Sequence, residues 1–277
     1  MEQIIDTLVK PITSTPADFT QQKIPPYRSG SSTAWKRLSE VKLDPIILAR
    51  NALITAKPCD AAASIDILRA RVIKHMKRDG MKRLAITAPT DACGKSTFVG
   101  NLALSLARRQ DLKIIVFDFD FRNPSLIHKF GLADIGPRFS ALSGTRRNFD
   151  STCLRVGSNL GLSLNSTVPS NPAELLGAVR SRDLIEQIER DFNPDIMLFD
   201  LPSLLPCDDA HAALEIMDQT LIVAMADVTT EAEINRAQQI TAEQGKSLGV
   251  ILNKCRFPAQ IKPARRHAFW HPFRKIS

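Results

Sequence analysis

No apolar run in this 277-residue chain approaches the roughly 18 residues that a membrane-spanning helix needs. The opening stretch, MEQIIDTLVKPITSTP, has neither a basic leading region nor a long apolar core, so no export signal is read there. A cytoplasmic protein is the expectation. Cysteine is sparse: Cys59, Cys93, Cys153, Cys207 and Cys255 are odd in number, scattered and never at metal-ligand spacing. That excludes a disulfide framework and a cysteine-bound zinc. The five histidines, His75, His128, His211, His267 and His271, show no ligand spacing either. Tyrosine occurs once, at Tyr27.

What is present is the composition of a folded soluble protein with one substantial core, 44% hydrophobic and 24% charged. The net charge of +8 is too modest to identify a partner. From Pro11 to about Ser39 the chain is rich in Pro, Ser, Thr and Gln and reads as a flexible tail, assigned to residues 1–42. A folded domain is expected over 43–255 and a basic, aromatic tail over 256–277. The segment DPIILARNALITAKP reads as a short helix or as an extended arm packed on the domain.

Beyond Pro58 the pattern becomes regular. Ile65, Leu68, Val72 and His75 recur at helical spacing within 61–77. Six apolar runs follow as candidate strands: 83–87, 113–119, 160–164, 195–200, 220–225 and 248–253. Helical patterns lie near 95–109, 172–191, 208–217 and 231–244. Runs apolar on both faces belong in a buried parallel sheet, and their alternation with helices predicts a doubly wound, mostly parallel α/β fold. Such sheets bind ligands at the carboxyl ends of their strands, so acidic residues there become candidates for chemistry.

Three segments carry that chemistry. In LAITAPTDACGKSTFVGNLALSLARR a strand passes through a small-residue loop into a helix, the context of a phosphate-binding loop. Asp91, Ala92, Cys93, Gly94, Lys95, Ser96 and Thr97 are the expected nucleotide-binding residues, with Lys95 reaching phosphate oxygens and Ser96 ligating Mg²⁺. Pro89 replaces the first glycine of the usual pattern. In IIVFDFDFRNPSL, Asp118 and Asp120 end a buried strand on the same side of it and can hold a hydrated Mg²⁺ or take a proton. In PDIMLFDLPS, Asp200 ends a neighbouring apolar strand and suits a carboxylate that reaches the metal through water. Cys93 reads as a neutral loop residue rather than a redox switch.

Over about Ala61 to Lys254 the chain resembles the bacterial tyrosine kinases that regulate capsule and exopolysaccharide synthesis, P-loop proteins of the MinD and ParA type. The resemblance is carried by DFDFRNPSLIHKFGL, NPAELLGAVRSRDLIEQI, FDLPSLLPCDDA and GVILNK. It implies ATP and Mg²⁺ as cofactors, with Lys95, Asp118 and Asp120 catalytic, Ser96, Asp118 and Asp200 at the metal, and Asn253 near the adenine. It also implies a homo-oligomer and a membrane polysaccharide co-polymerase on a separate chain as partner. Where MinD and ParA types carry a signature lysine this chain has Thr90, which points to the polysaccharide branch. The family's C-terminal tyrosine cluster is absent from PARRHAFWHPFRKIS. Of its Glu-x-x-Arg-x-x-Arg helix motif, falling on Ala63, Asp66 and Arg69, only Arg69 survives. The basic residues and aromatics after Asn253 suit an anionic membrane surface or a partner's juxtamembrane segment, or else form a solvated tail; nucleic acid ranks lower. Rival readings are a dimerising MinD or ParA type ATPase on membrane or DNA, and a scaffold that binds nucleotide without turning it over.

Overall fold

The apolar strands alternate which side chains they send to which face, and the two faces build two separate cores. The computed structural model describes residues 31–59, 62–133, 146–166, 179–206 and 208–255, with Val168 and Glu174 in addition. Its elements in chain order are α1 (Ser31–Arg37), β1 (Ser39–Val41), α2 (Pro45–Arg50), α3 (Ala63–Arg78), β2 (Arg83–Thr87), α4 (Lys95–Ala107), β3 (Ile114–Asp118), α5 (Leu126–Lys129), α6 (Arg146–Thr152), β4 (Leu154–Val156), β5 (Leu160–Ser163), α7 (Val179–Phe192), β6 (Ile196–Asp200), α8 (Asp209–Leu214), β7 (Gln219–Met225), α9 (Glu231–Glu243) and β8 (Ser247–Asn253). The eight strands form one sheet in the order β1-β4-β5-β3-β6-β2-β7-β8. All neighbours run parallel except β4 and β5.

Leu84, Ile86, Ile114, Val116, Ile196 and Leu198 meet α4, through Val99, Leu102 and Leu106, and α3, through Val72 and Met76. The residues between them, Ala85, Ile115, Phe117, Met197 and Phe199, face Ile185, Ile188 and Phe192 of α7 and Ala237 and Ile240 of α9. Period-2 side chains with helices on both faces explain why these strands are apolar throughout. Phe117 and Phe199 stack across the β3–β6 pair at 4.8 Å between centroids.

The doubly wound, mostly parallel architecture agrees with the sequence expectation, and the undecided segment at 43–58 contains a helix, α2. Asp44 caps it with a 2.7 Å hydrogen bond accepted from the Ile46 amide, and Pro45 opens its first turn.

Residues 31–42, assigned to the flexible tail, do not behave as one. Here α1 buries Trp35, whose indole N–H donates to the Phe192 carbonyl at 2.8 Å, and β1 pairs with β4. One large aromatic with a satisfied N–H outweighs the polar composition around it. Tail residues 1–30 and 256–277, Tyr27 among them, lie outside the described residues, as does most of the Asn171–Leu176 segment. No helix among the described residues is long and apolar enough to cross a membrane.

Candidate functional site

Three neighbouring strands, β3, β6 and β2, end at the same level of the sheet. Asp118 of β3 is paired in register with Asp200 of β6, and Asp200 with Ile86 of β2. The chain leaving β2 is held beside β6 by hydrogen bonds from the Leu204 amide to the Ala88 carbonyl at 2.9 Å and from the Leu205 amide to the Pro89 carbonyl at 3.1 Å. It then reaches α4, whose first turn begins at Lys95 directly above the two aspartates' strands. Sheet topology thus places the loop of one segment on the strand-end carboxylates of two others.

The loop itself is defined by Ala92 at φ +62° and Gly94 at φ +87°. Gly94 is the residue that fits this turn with least strain. A Cβ there would lie 2.6 Å from Nδ2 of Asn253, and the left-handed backbone disfavours any other residue. No side chain caps the N-terminus of α4, so its first amides keep their hydrogen-bonding capacity for a ligand. Together with the helix dipole this is an anion cradle.

Lys95 is buried and its ammonium donates to Oδ2 of Asp120 at 2.6 Å. Burial alone would lower the lysine's pKa, but Asp200, Asp120 and Asp91 outweigh it and hold the ammonium above its usual range. Asp118 is raised well above the carboxylate range by burial and then by the charges of Asp200 and Asp120. Asp200 is pushed up to about 7 by burial, against the pull of Lys95 and of the Ser96 hydroxyl nearby. Despite that closeness, neither Asp200 oxygen has a completed hydrogen bond, nor has Oδ1 of Asp118.

Three unmet oxygens on two strand-end carboxylates that are paired in register fit a divalent cation. Among the described residues no group of three His, Cys, Asp or Glu side chains forms a metal cage. Ser96, Asp118 and Asp200 would therefore hold a metal together with water and a ligand's phosphates.

The other expected residues fall as follows. Asp91 accepts a 2.6 Å hydrogen bond from the Ser203 hydroxyl, which ties the loop to the segment after β6. Thr97 is half-buried and its carbonyl accepts from Asn101 at 3.0 Å, inside α4. Cys93 is buried with its sulfur 3.6 Å from the Thr229 hydroxyl. Asn253, expected near an adenine, has its amide nitrogen on the Cys93 carbonyl at 2.8 Å.

Sequence reasoning missed several supports. Asn165 is buried and donates to the Asp118 carbonyl. Arg122 binds Asp209 through both ends of its guanidinium, the Nη2 contact at 3.0 Å, and Asp209 is only 1% exposed. The Asp120 carboxylate accepts the Asn123 amide at 3.1 Å and so shapes the turn after β3. Both partners of the Arg122 pair stand in motifs already singled out, but nothing in either motif announces the other.

No protein-family model matches the chain. The tyrosine-protein kinase CpsD of Streptococcus agalactiae is 31% identical over 175 residues, covering 62% of this chain and 74% of that protein. The kinase domain of Escherichia coli tyrosine kinase ETK superimposes with a TM-score of 0.61 at 26% identity, over 70% of this chain and 75% of that one. MinD in its complex with MinC from Aquifex aeolicus shares the fold, at a TM-score of 0.50 and 20% identity over 62% of this chain and 67% of that chain. A phosphate loop set on paired strand-end aspartates, in a MinD-like sheet and with this degree of identity over most of a relative's length, places the chain in the bacterial tyrosine kinase family.

Proposed function

We propose that the chain is an ATP-binding, Mg²⁺-dependent regulator of capsule or exopolysaccharide synthesis, cytoplasmic and working with a membrane polysaccharide co-polymerase on another chain. One observation carries the reading. The buried Lys95–Asp120 pair sits beside unpartnered buried oxygens of Asp118 and Asp200, at the uncapped N-terminus of α4. That arrangement is costly in an empty protein and is resolved by a polyphosphate with a divalent cation.

Lys95 would balance charge developing on the terminal phosphate, and the α4 amides would hold the phosphate oxygens. Ser96, Asp118 and Asp200 would hold Mg²⁺, which supplies charge neutralisation across the phosphates when bound. Asp118 or Asp120 would orient an acceptor hydroxyl or water and take its proton. The phosphate acceptor would be water or a tyrosine of another protein. Homo-oligomer formation and contact of the 256–277 segment with an anionic membrane surface complete the proposal.

Titration of the purified chain with Mg·ATP, followed by turnover assays with and without the cytoplasmic segments of a co-polymerase, tests this. Binding that disappears in Lys95→Met, and turnover that disappears in Asp118→Asn, are expected. A wild-type chain that fails to bind Mg·ATP sinks the reading.

A further inference from the structure

The phosphate cradle has a back as well as a mouth. Left-handed residues such as Ala92 and Gly94 turn successive amides to one side of a loop, and carbonyls of the same stretch then face away from it. A carbonyl turned away from the ligand needs a donor of its own. Here two come from the end of one strand: Asn253 Nδ2 donates to the Cys93 carbonyl at 2.8 Å, and Lys254 Nζ to the Ala92 carbonyl at 2.8 Å.

Lys254 has features that fit this task and no other described one. Its backbone is left-handed, φ +57°, which a non-glycine residue adopts where its surroundings hold it. Its ammonium forms no ion pair with a carboxylate among the described residues; its second neighbour is Sδ of Met225 at 3.8 Å. The side chain lies on the surface, so it adds little to the core. Its close approach to Gly94 is also visible in the space around that residue, where a Cβ would meet Asn253 at 2.6 Å and Lys254 Cε at 3.5 Å.

We infer that Lys254, with Asn253, is a positioning residue for the phosphate loop. It acts on the nucleotide site through the Ala92 carbonyl, from behind the loop, and not by touching the nucleotide. The inference rests on the proposal that this loop holds ATP phosphates. It assigns to the end of β8 the work of keeping Ala92 and Gly94 in the turn that aims their amides at the mouth.

The test uses the full chain as wild type, Lys254→Met and Lys254→Arg, with isothermal titration of Mg·ATP and thermal melting without nucleotide. Lys254→Met should weaken Mg·ATP binding about tenfold, the scale of one lost charge-assisted hydrogen bond. Lys254→Arg should recover most of it, since a guanidinium also donates to a carbonyl. Nucleotide-free melting points should agree to within about 2 °C, because an exposed side chain contributes little to the fold. If the chain turns ATP over, KM should rise in Lys254→Met while kcat holds.

Several results overturn the inference. They are Mg·ATP binding by Lys254→Met within twofold of wild type, binding by Lys254→Arg no better than by Lys254→Met, and weakened binding accompanied by a lowered nucleotide-free melting point. In each of these the wild type still binds Mg·ATP, so the nucleotide site stands and only the role of Lys254 falls. A wild type that does not bind Mg·ATP removes both.

Discussion

Replacing Asp200 by Asn should stabilise the empty protein while disabling its site. Asp200 is fully buried and neither of its oxygens has a hydrogen-bond partner. Burial raises its pKa from 3.8 to about 7 even with Lys95 pulling the other way. The sign follows. Below about pH 3.8 the group is protonated folded and unfolded, and its full stability is present; as pH rises to about 7 the unfolded chain sheds the proton first and that stability is lost. A difference of about 3 units at about 1.4 kcal/mol each sets a ceiling near 4 kcal/mol on the cost of ionised Asp200. An Asn amide keeps the shape without the charge but brings donors that need partners, so about half the ceiling, ~2 kcal/mol, is expected at pH 8. For a domain of this size that is a rise of about 4–8 °C in melting point. Circular dichroism melts between pH 5 and 8.5, with EDTA and without nucleotide, measure it. The gain should grow with pH and level off above neutrality, while the stabilisation that Mg·ATP gives the wild type should vanish in the variant. An Asp200→Asn chain that melts at or below wild type at pH 8, or whose gain is unchanged at pH 5, refutes the reasoning.

Gly94→Ala forces a Cβ to 2.6 Å from Asn253 in a left-handed backbone. It should cost about 1–3 kcal/mol in urea unfolding and cut Mg·ATP binding by at least tenfold. Lys95→Met leaves Asp120 buried without its cation and should lower the stability of the empty chain by about 3 kcal/mol, besides abolishing nucleotide binding in titration. Trp35→Ala removes a buried ring that meets Phe192 edge-on at 6.1 Å and orphans the Phe192 carbonyl. A loss of about 3–5 kcal/mol by chemical denaturation would show that α1 belongs to the folded domain.

What the sequence made legible follows from how local each signal is. β2, β3 and β6 are short apolar runs buried on both faces, and each ends in a change of composition that a linear pattern exposes. The phosphate loop was legible because strand, loop and helix are continuous in the chain. β1 was not: its three residues include only one buried side chain, Val41, and its partner β4 lies more than a hundred residues away. α1 is polar by composition, and its place depends on Trp35 finding a carbonyl 157 residues along the chain. Asn253 was expected near an adenine from the family resemblance, whereas its hydrogen bond to the loop carbonyl depends on β8 lying beside β7, a fact of sheet order. The Arg122–Asp209 pair has the same character, since its members are 87 residues apart and each looks solvated when read alone.

The loop's departures from the usual phosphate-loop pattern follow from the same geometry. Pro89 stands where a first glycine is usual, but the chain at that point still runs beside the segment leaving β6, with the Ala88 and Pro89 carbonyls both accepting amides from it. A segment held that way needs no positive φ, and a proline's fixed φ suits it. The left-handed turns come later, at Ala92 and Gly94, and only at Gly94 does a neighbouring side chain leave no room for a Cβ. Cys93, between them, turns its sulfur to the Thr229 hydroxyl and gives its carbonyl to Asn253. The glycine kept is the one that geometry requires, and the glycine lost stood where the backbone asks for nothing special. Lys95 stays buried against Asp120 at the uncapped start of α4, and the departures are confined to the side of the loop that strands and side chains already hold.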